Sequence, residues 1–411
     1  MMENTFPSSF LWGTATAAHQ VEGGNVYNDN WVMEHTPGSP YVESSGDACD
    51  HYHRYREDIT LLADLGFTLY RFSLEWSRIE PEEGEFSLAQ LDHYRRMLAT
   101  CHEHGITPMV TFHHFTSPRW LAASGGWEAQ DTLEKFARFC ERAMAHLGDL
   151  IPLACTLNEV NIGPLISAMT GTPLNAARTE RWFEAAARSV GSDASRFTPF
   201  LYADAERGRA TILAAHRRAV GAIKAGRGTC EVGLTLAMQD IQAGPDGEEM
   251  AAQMRRELLD VYLEGTRGDD FIGVQTYSRQ RFGPAGPLRA EEGVERTQME
   301  YEFWPEALEA TIRYASAMTG LPVIVTENGI ATDDDTRRIA YIERALRGVA
   351  ACLRNGIDVR GYTYWSALDN FEWSHGYRPT FGLIAVNRET QERTVKPSAR
   401  RLGSIARAHG F

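Results

Sequence analysis

Two glutamates in this chain each come directly after a short apolar run, and together they could cleave a glycosidic bond. Glu159 ends the stretch IPLACTLNE, and Glu327 follows LPVIVT. Where two carboxyl groups face each other across a cleft, one can protonate the leaving oxygen while the other attacks the anomeric carbon or activates water. The spacing alone leaves an aldolase or a metal-dependent hydrolase open, because such barrels also gather acids at their mouths. An aldolase would need a lysine at a strand end, and no candidate strand supplies one.

Further polar and aromatic side chains stand near the ends of similar apolar runs. Amide, imidazole and carboxylate groups can bind sugar hydroxyls, and indole rings can offer apolar platforms to the C–H faces of a sugar. The polar candidates are His19, Gln20, Glu22, Arg71, Glu75, His113, His114, Asn158, Gln275, Tyr277, Asn328, Asp369, Asn370 and Glu372. The tryptophans are Trp120, Trp127, Trp304, Trp365 and Trp373.

The elements that would position these groups recur as an amphipathic stretch, a glycine and a short apolar run. The clearest helical spacing covers Leu133 to Cys140 and ends near Gly148. Glycines suited to the left-handed end of a helix precede most other runs, at Gly66, Gly105, Gly226, Gly265, Gly320 and Gly356. The runs that predict strands are FLWGTATAA, FTLYRFSLEW, TPMVTFHH, IPLACTLNE, EVGLTLAM, DDFIGVQTY, LPVIVTENG and IDVRGYTYWSAL.

Strands that alternate with helices pair in parallel, because a tight hairpin cannot reach a parallel neighbour. Eight such units predict an α/β fold, a closed (β/α)8 or TIM barrel, whose chemistry sits at the C-terminal ends of the strands. A doubly wound sheet would favour a glycine-rich phosphate turn, and GTATAAHQVEGG contains no G-x-G-x-x-G. No linker divides the chain. We therefore expect one domain over residues 1–411, with long insertions after the first strand and around 161–206.

Composition narrows the class of partner. The chain has 411 residues, with 41 Lys and Arg against 55 Asp and Glu, a formal net charge of −14. Hydrophobic residues make up 43% and charged residues 23%, which is typical of a globular protein rather than a disordered one. The acidic balance and the lack of basic clusters argue against nucleic acid, and they favour a neutral or cationic partner.

The sequence also bears on location and metals. The stretch MMENTFPSSFLWG lacks a basic segment followed by an apolar one, and no run approaches the roughly 18 apolar residues of a membrane span. We expect a soluble, cytoplasmic protein. The cysteines form no C-x-x-C pair, which favours buried reduced thiols over zinc or disulfides: Cys49, Cys101, Cys140, Cys155, Cys230 and Cys352. No His, Asp and Glu set has metal-ligand spacing, so no metal is expected.

Several long motifs resemble glycoside hydrolase family 1, the β-glucosidase group, and they occur in the family's order. FPSSFLWGTATAAHQVEGG is similar to the N-terminal signature, TLNEV to the T-x-N-E-P acid/base motif, and VIVTENGI to the nucleophile motif. YRFSLEWSRIEP, DFIGVQTYS and GYTYWSALDNFEWSHGY add three matches. The resemblance runs from about Phe6 to Lys396, nearly the whole chain.

The resemblance implies a retaining, exo-acting β-glycosidase that needs no cofactor. Carried over position by position, it makes Glu327 the nucleophile and Glu159 the general acid/base, with carboxyl groups about 5 Å apart. Arg71 would keep Glu327 ionised, and the Tyr277 hydroxyl would orient it. Glu159 must be protonated when Glu327 attacks, and its proton affinity should fall once the charge on Glu327 is consumed.

The resemblance also implies a site for the non-reducing sugar. The positions that match its hydroxyl-binding residues are Gln20, His114, Asn158 and Glu372, and those that match its floor and wall are Trp365 and Trp373. Asn158 would hold the 2-hydroxyl, where a bond that strengthens in the transition state raises the rate.

The position of Glu372 also separates two substrate classes. Family members that take 6-phosphorylated sugars replace this acid with a small hydroxyl residue, and they add a lysine and a tyrosine where this chain has Pro379 and Phe381. Because a carboxylate repels phosphate, we expect an unphosphorylated β-glucoside, with β-galactosides and β-fucosides as further candidates. Phe381 is counted among the substrate-binding residues.

Some positions depart from the family pattern. Val160 replaces the usual proline after the acid/base, and other departures are Phe115, Thr116, Gln275, Thr276 and Thr380. None removes a catalytic carboxylate, and they bear on the side of the pocket that receives the aglycone. On the insertions, Asn161, Phe183, Phe303 and Trp304 are candidate aglycone contacts. The oligomeric state stays open.

Two other functions fit the same barrel. A transglycosylase would use the same intermediate and resolve it with an alcohol instead of water. A catalytically silent glycan-binding protein would have no need to keep two close carboxylates against their mutual repulsion, so the presence of both glutamates argues against it.

Overall fold

A closed barrel of eight parallel strands lies at the centre of the computed structural model, which describes residues 4–411. Residues 1–3, where the predicted domain and the N-terminal stretch begin, lie outside the described residues. The barrel strands are β1 (Leu11–Ala15), β2 (Leu69–Ser73), β3 (Thr107–His113), β4 (Leu153–Leu157), β5 (Glu231–Ala237), β6 (Phe271–Thr276), β7 (Val323–Asn328) and β8 (Val359–Trp365). The predicted TIM barrel is confirmed, and each predicted run contains one strand.

Each strand pairs with the next in chain order, and β8 closes the barrel against β1. Leu11 of β1 stands opposite Gly361 of β8, and Gly13 stands opposite Leu69 of β2. The register between β7 and β6 shifts between Val325 and Glu327. Such irregularities re-aim side chains and are common beside active sites, and this one falls at a candidate catalytic glutamate.

Helices surround the barrel and connect its strands. The outer helices are α1 (His51–Leu65), α2 (Leu88–Glu103), α3 (Thr132–Leu147), α4 (Arg207–Lys224), α5 (Glu248–Arg255), α6 (Ala307–Thr319), α7 (Asp335–Arg354) and α8 (Pro397–Ala408). A π-helical turn, Arg256–Asp260, and a short helix, Val261–Leu263, continue α5. The helix predicted over Leu133 to Cys140 is confirmed as part of α3.

Smaller elements lie in the connections. The short helices are Ala18–Val21, Asp29–Glu34, Trp76–Ile79, Arg119–Ala123, Ile162–Thr170 and Arg181–Ser189. The 3-10 turns are Gly126–Glu128, Gly148–Leu150, Leu174–Thr179, Phe200–Tyr202, Glu264–Thr266 and Trp373–His375. Two minor sheets complete the fold, one of Asp240–Ala243, Arg279–Gly283 and Gly286–Pro287, the other of Ile384–Val386 and Arg393–Val395.

The predicted left-handed glycines are confirmed in part. Gly66, Gly105, Gly320 and Gly356 have positive φ. The prediction is wrong at Gly226 and Gly265, whose connections place Gly228 and Gly268 in that conformation instead. Gly226 and Gly265 allow close packing: a Cβ atom at Gly226 would come within 2.6 Å of Met144 Cβ, and one at Gly265 within 2.8 Å of Leu213 Cδ2.

Apolar side chains from the strands fill the lower interior of the barrel. They are Leu11, Leu69, Met109, Leu153, Cys155, Phe271 and Ile324. A larger apolar core lies between the strands and the outer helices. Because the lower interior is filled, the polar residues of the strands collect at the opposite, C-terminal mouth.

Two further predictions can be compared with the fold. Across residues 4–411, no helix is long and apolar enough to cross a membrane. All six cysteines are free thiols, and only Cys230 is half-exposed while the others are buried.

Candidate active site

A cavity of about 460 Å³ opens at the C-terminal ends of the barrel strands. The predicted site residues that line it are Gln20, His114, Glu159, Tyr277, Glu327, Trp365, Glu372, Trp373 and Phe381. Arg71 and Asn158 are fully buried and contact lining residues from behind the wall. The structure therefore brings together groups that are separated by more than 350 positions in the chain.

Three donors hold the carboxylate of Glu327. Arg71 Nη1 donates to Glu327 Oε1 at 2.6 Å, and Tyr277 Oη donates to Glu327 Oε2 at 2.6 Å. Gln275 Nε2 donates to Oε1 at 3.1 Å. Charge-assisted bonds of this kind favour the ionised carboxylate and fix its orientation.

Glu159 has no comparable partner. Its carboxyl group accepts no hydrogen bond from residues 4–411 and lies in the cavity wall with 7% of the residue exposed. Its backbone N–H donates to Thr235 Oγ1 at 3.2 Å. The φ angle of Glu159 is +43°, in the left-handed region that costs a non-glycine residue about 1–2 kcal/mol. The surrounding fold therefore stabilises a strained backbone at this carboxylic acid.

The electrostatics of the two glutamates differ. Burial raises the pKa of Glu159 well above its ordinary value, and the nearby charge of Glu327 raises it further. Burial also raises the pKa of Glu327, but Arg71 and Tyr277 oppose that rise. Of the two carboxyl groups, Glu159 is consequently the protonated one and Glu327 the ionised one.

Gln20 and Glu372 form a polar corner of the cavity. Gln20 Nε2 donates to Phe371 O at 2.7 Å, to Asn370 Oδ1 at 3.0 Å and to Glu372 Oε2 at 3.3 Å. These bonds fix the amide so that Gln20 Oε1 is buried without a protein donor. Trp365 Nε1 donates to Glu372 Oε1 at 3.3 Å. The corner therefore presents oxygen acceptors of the kind that sugar hydroxyls can satisfy.

His114 lines the cavity as a neutral imidazole. Burial, followed by the charge of Arg71, lowers its pKa well below the ordinary value, so the imidazole is neutral. Asn158 Nδ2 lies 3.2 Å from His114 Nε2, and this contact assigns Nε2 as the acceptor and Nδ1 as the protonated nitrogen. Nδ1 is buried without a partner among residues 4–411.

Asn158 is more constrained than the sequence indicates. Its Oδ1 accepts from Arg71 Nη2 at 2.5 Å and from Gln275 Nε2 at 2.9 Å. Its oxygen is thus occupied by protein donors, which leaves only the Nδ2 group for a 2-hydroxyl. The predicted contact between Asn158 and the sugar stays a prediction.

Aromatic rings build the walls. Trp373 stacks on His19 with ring centroids 5.8 Å apart and an interplanar angle of 10°. His19 in turn lies 3.2 Å from Glu34, which anchors it. Trp373 and Phe115, both in the lining, have φ angles of +53° and +68°. With Glu159, they show that strained backbone collects around this cavity, as it does at functional sites.

Several candidates lie elsewhere. Trp120, Trp127 and Trp304 are absent from the described lining, and the first two donate their indole N–H groups to Glu80 O and Ser117 Oγ. The residues predicted as aglycone contacts also have other partners. Asn161 binds the backbone of Ala237, Phe183 joins a separate apolar cluster, and Phe303 packs on Tyr341. Insertion aromatics fill local cores because their large apolar area favours burial.

Gln275 is the site residue that the sequence did not single out for a role. It stands in β6, and its amide joins the nucleophile candidate to Asn158. The position of this amide near the end of a barrel strand could have indicated a role in the site. Its contact with Glu327, however, depends on the irregular register between β7 and β6.

Comparison with known proteins agrees with this geometry. The family model "Glycosyl hydrolase family 1" matches residues 2–266 and 275–411. The chain belongs to glycosyl hydrolase family 1. Its relatives include Beta-glucosidase A of Acetivibrio thermocellus, which is 31% identical over 477 aligned residues covering 100% of both chains. The family assignment makes this protein a retaining β-glycosidase.

Solved structures of family 1 enzymes superpose closely. Beta-glycosidase BGL167 has a TM-score of 0.95 and 58% identity, covering 99% of this chain and 98% of its own. The beta-glucosidase of Thermotoga maritima in complex with glucoimidazole has a TM-score of 0.85 and 27% identity, covering 99% and 100%. The barrel and its connections therefore share the fold of these β-glycosidases.

Proposed function

We propose that this family 1 glycosidase hydrolyses unphosphorylated β-D-glucosides, with Glu327 as nucleophile and Glu159 as general acid/base. The observation that carries the proposal is the contrast between the two carboxyl groups. Glu327 is held by Arg71 and Tyr277, whereas Glu159 lines the same cavity with no ionic partner among residues 4–411 and a strongly raised pKa. One ionised and one protonated carboxyl are what double displacement needs at its first step.

The first step cleaves the glycosidic bond. A carboxylate oxygen of Glu327 attacks the anomeric carbon, while the proton of Glu159 moves to the glycosidic oxygen and the aglycone leaves as an alcohol. The positive charge of Arg71 then loses its ionic partner, since Glu327 has become an ester. Loss of that negative charge also removes one cause of the raised pKa at Glu159.

The second step releases the sugar. Glu159, now a carboxylate, takes a proton from water, whose oxygen attacks the anomeric carbon and displaces Glu327. Glu327 regains its charge beside Arg71, and Glu159 is again protonated. The anomeric configuration is retained because it is inverted twice.

The polar corner supports a neutral sugar. Gln20, His114 and Glu372 line the cavity as polar residues, and Trp365 and Trp373 supply the apolar walls. The carboxyl groups in the described lining belong to Glu159, Glu327 and Glu372, and this lining contains no lysine or arginine to bind a phosphate. The named β-glucosidase relatives agree with a glucoside substrate.

Two further predictions accompany this proposal. We infer that the chain forms one domain, because the barrel is continuous and one large apolar core surrounds it. A cytoplasmic location stays a prediction, supported by free cysteines of the kind found in reducing compartments.

Covalent trapping tests the proposal. A 2-deoxy-2-fluoro-β-glucosyl donor with a good leaving group should inactivate the protein and add one fluoroglucosyl group to the peptide containing Glu327, as read by mass spectrometry. Labelling of another residue would overturn the assignment. A panel of aryl β-glycosides, including the 6-phosphoglucoside, should show preference for the unphosphorylated glucoside, and preference for the phosphorylated one would contradict the role of Glu372.

A further inference from the structure

The short helix Ile162–Thr170 presents an apolar face to the cavity. Ile162, Leu165, Ile166 and Met169 all line the cavity, at the i, i+3, i+4 and i+7 spacing of one helix face. Thr170 completes this face, but its hydroxyl already donates to Ile166 O at 2.8 Å. In an ordinary outer helix such a stripe is buried against the core. Here only Leu165 is buried, and the other three apolar residues are half-exposed along the cavity.

The position of this helix relates it to the leaving group. The backbone N–H of Ile162 donates to Glu159 O at 2.9 Å, so the first turn begins beside the acid/base. Glu159 gives its proton to the glycosidic oxygen, which stays with the aglycone. The helix that begins at Ile162 therefore lies next to the residue that protonates the departing group.

The neighbouring lining is also mostly apolar. Leu174, Leu201 and Met299 line the cavity as well. Polar side chains also reach the lining, and Gln239 Oε1 is buried without a partner among residues 4–411; these side chains are Tyr41, Tyr202, Gln239, Tyr301, Ser374 and His375. A second sugar would bring several hydroxyl groups against these aliphatic side chains, and each hydroxyl left without a partner would weaken binding.

We propose that the preferred aglycone is an apolar alkyl or aryl alcohol rather than a second sugar, bound along the helix Ile162–Thr170. This inference rests on the proposed hydrolysis of β-glucosides. The side chains of Ile162, Ile166 and Met169 bury the apolar part of the alcohol. The acidic carboxyls of the cavity also disfavour an anionic aglycone.

Alkyl β-glucosides of increasing length provide the test. Methyl, butyl, hexyl and octyl glucosides have alcohols of similar acidity, so differences in kcat/KM report aglycone binding rather than leaving-group chemistry. Because kcat/KM covers the steps up to aglycone departure, it should rise about two- to fourfold per buried methylene, as expected from about 0.8 kcal/mol for each. Octyl glucoside should also exceed cellobiose by at least about tenfold.

Variants of the helix sharpen the result. Met169→Gln and Ile166→Gln should each lower the octyl-to-methyl ratio of kcat/KM by about five- to tenfold, because they place an amide against the alkyl chain. Met318→Gln is the matched control. Met318 is 45% exposed on α6, outside the described lining, and its variant should keep the ratio and the activity unchanged.

The outcomes separate the two proposals. A flat alkyl series, a preference for cellobiose, or an unchanged ratio in both helix variants would overturn the apolar aglycone while hydrolysis of methyl glucoside upholds the proposed function. Failure to hydrolyse any β-glucoside, the methyl compound included, would overturn the proposed function and the aglycone proposal with it.

Discussion

Gln275 Nε2 lies 3.1 Å from Glu327 Oε1, so a neutral amide donates directly to the proposed nucleophile. The same nitrogen donates to Asn158 Oδ1 at 2.9 Å. One amide therefore couples the carboxylate that attacks the anomeric carbon to the residue beside the predicted 2-hydroxyl site. The contact depends on two adjacent barrel strands, β6 and β7.

Replacing this amide should lower activity. Gln275→Leu keeps most of the side-chain volume and removes both hydrogen bonds, one of them to a charged group worth about 1.5–3 kcal/mol. We expect kcat/KM for an aryl β-glucoside to fall by about 10- to 100-fold. Gln280→Leu is the control, since the Gln280 amide binds backbone carbonyls outside the described lining. Equal rates in Gln275→Leu and the unmodified protein would show that the amide plays no part in the reaction.

Removing the Tyr277 hydroxyl should shift the pH profile. Tyr277 Oη stabilises ionised Glu327, so Tyr277→Phe raises the pKa of Glu327. Because Glu327 must be ionised in the free enzyme, the acidic limb of kcat/KM moves to higher pH, by about one unit. Tyr314→Phe, which loses a bond to Asp260 outside the described lining, should leave the limb in place. An unshifted limb in Tyr277→Phe would contradict the contact's proposed role.

Glu159 should govern the basic limb. Its raised pKa keeps it protonated at neutral pH, and activity falls as pH rises through that pKa. In Glu159→Ala the basic limb should disappear, and rates on substrates with poor leaving groups should fall by about 100- to 10,000-fold. Azide should restore turnover of an activated aryl glucoside and yield the β-glucosyl azide. Glu184→Ala removes an exposed glutamate and should show no azide response. If Glu159→Ala showed neither a loss of rate nor rescue by azide, the assignment of Glu159 would be refuted.

A buried charge network should contribute to stability. Arg393 donates to Asp58 at 2.8 and 3.0 Å, and His51 Nδ1 lies 2.7 Å from the same carboxylate. Arg393→Met leaves that charge without its main partner and should cost about 3–5 kcal/mol of the unfolding free energy. The exposed pair of Arg218 and Glu134 offers the control, because Arg218→Met should cost less than about 1 kcal/mol. Urea unfolding at pH 7 measures both.

The pKa of Asp58 determines how the stability contributed by this network changes with pH. Burial would raise its pKa, but hydrogen bonds from His51 and Arg393 lower it below the ordinary value. The unfolded state therefore binds protons more readily, and this stabilisation is complete above the unfolded pKa and is lost as pH falls through the folded one. The gap between Arg393→Met and the unmodified protein should narrow in acid. A gap independent of pH would assign the loss to packing.

The strands could be predicted from sequence because each signal is local. LPVIVT reads as a buried strand from its own composition, and Glu327 follows it immediately. The position of the helix face Ile162 to Met169 along the cavity could not be predicted, for a related reason. An i, i+3, i+4, i+7 apolar stripe is the same whether the chain packs it on a core or leaves it along a cavity, and only the tertiary arrangement decides.

Longer-range relationships were beyond the sequence. The contact between Gln275 and Glu327 joins positions 52 residues apart and depends on a register shift in β7. The polar corner joins Gln20 to Glu372 across 352 positions. Trp127 and Trp304 are the same residue type as Trp365, yet their surroundings place them outside the described lining.

The solitary carboxyl of Glu159 has a consequence for the catalytic cycle. Its backbone, at φ +43°, sets its direction, and no side chain in residues 4–411 holds its oxygens. Neither delivery of the proton to the departing alcohol nor its recovery from water requires a protein hydrogen bond to break. The protein can therefore alternate between its two protonation states without rearranging, and the backbone strain at this one residue supplies the preorganisation for both halves of the cycle.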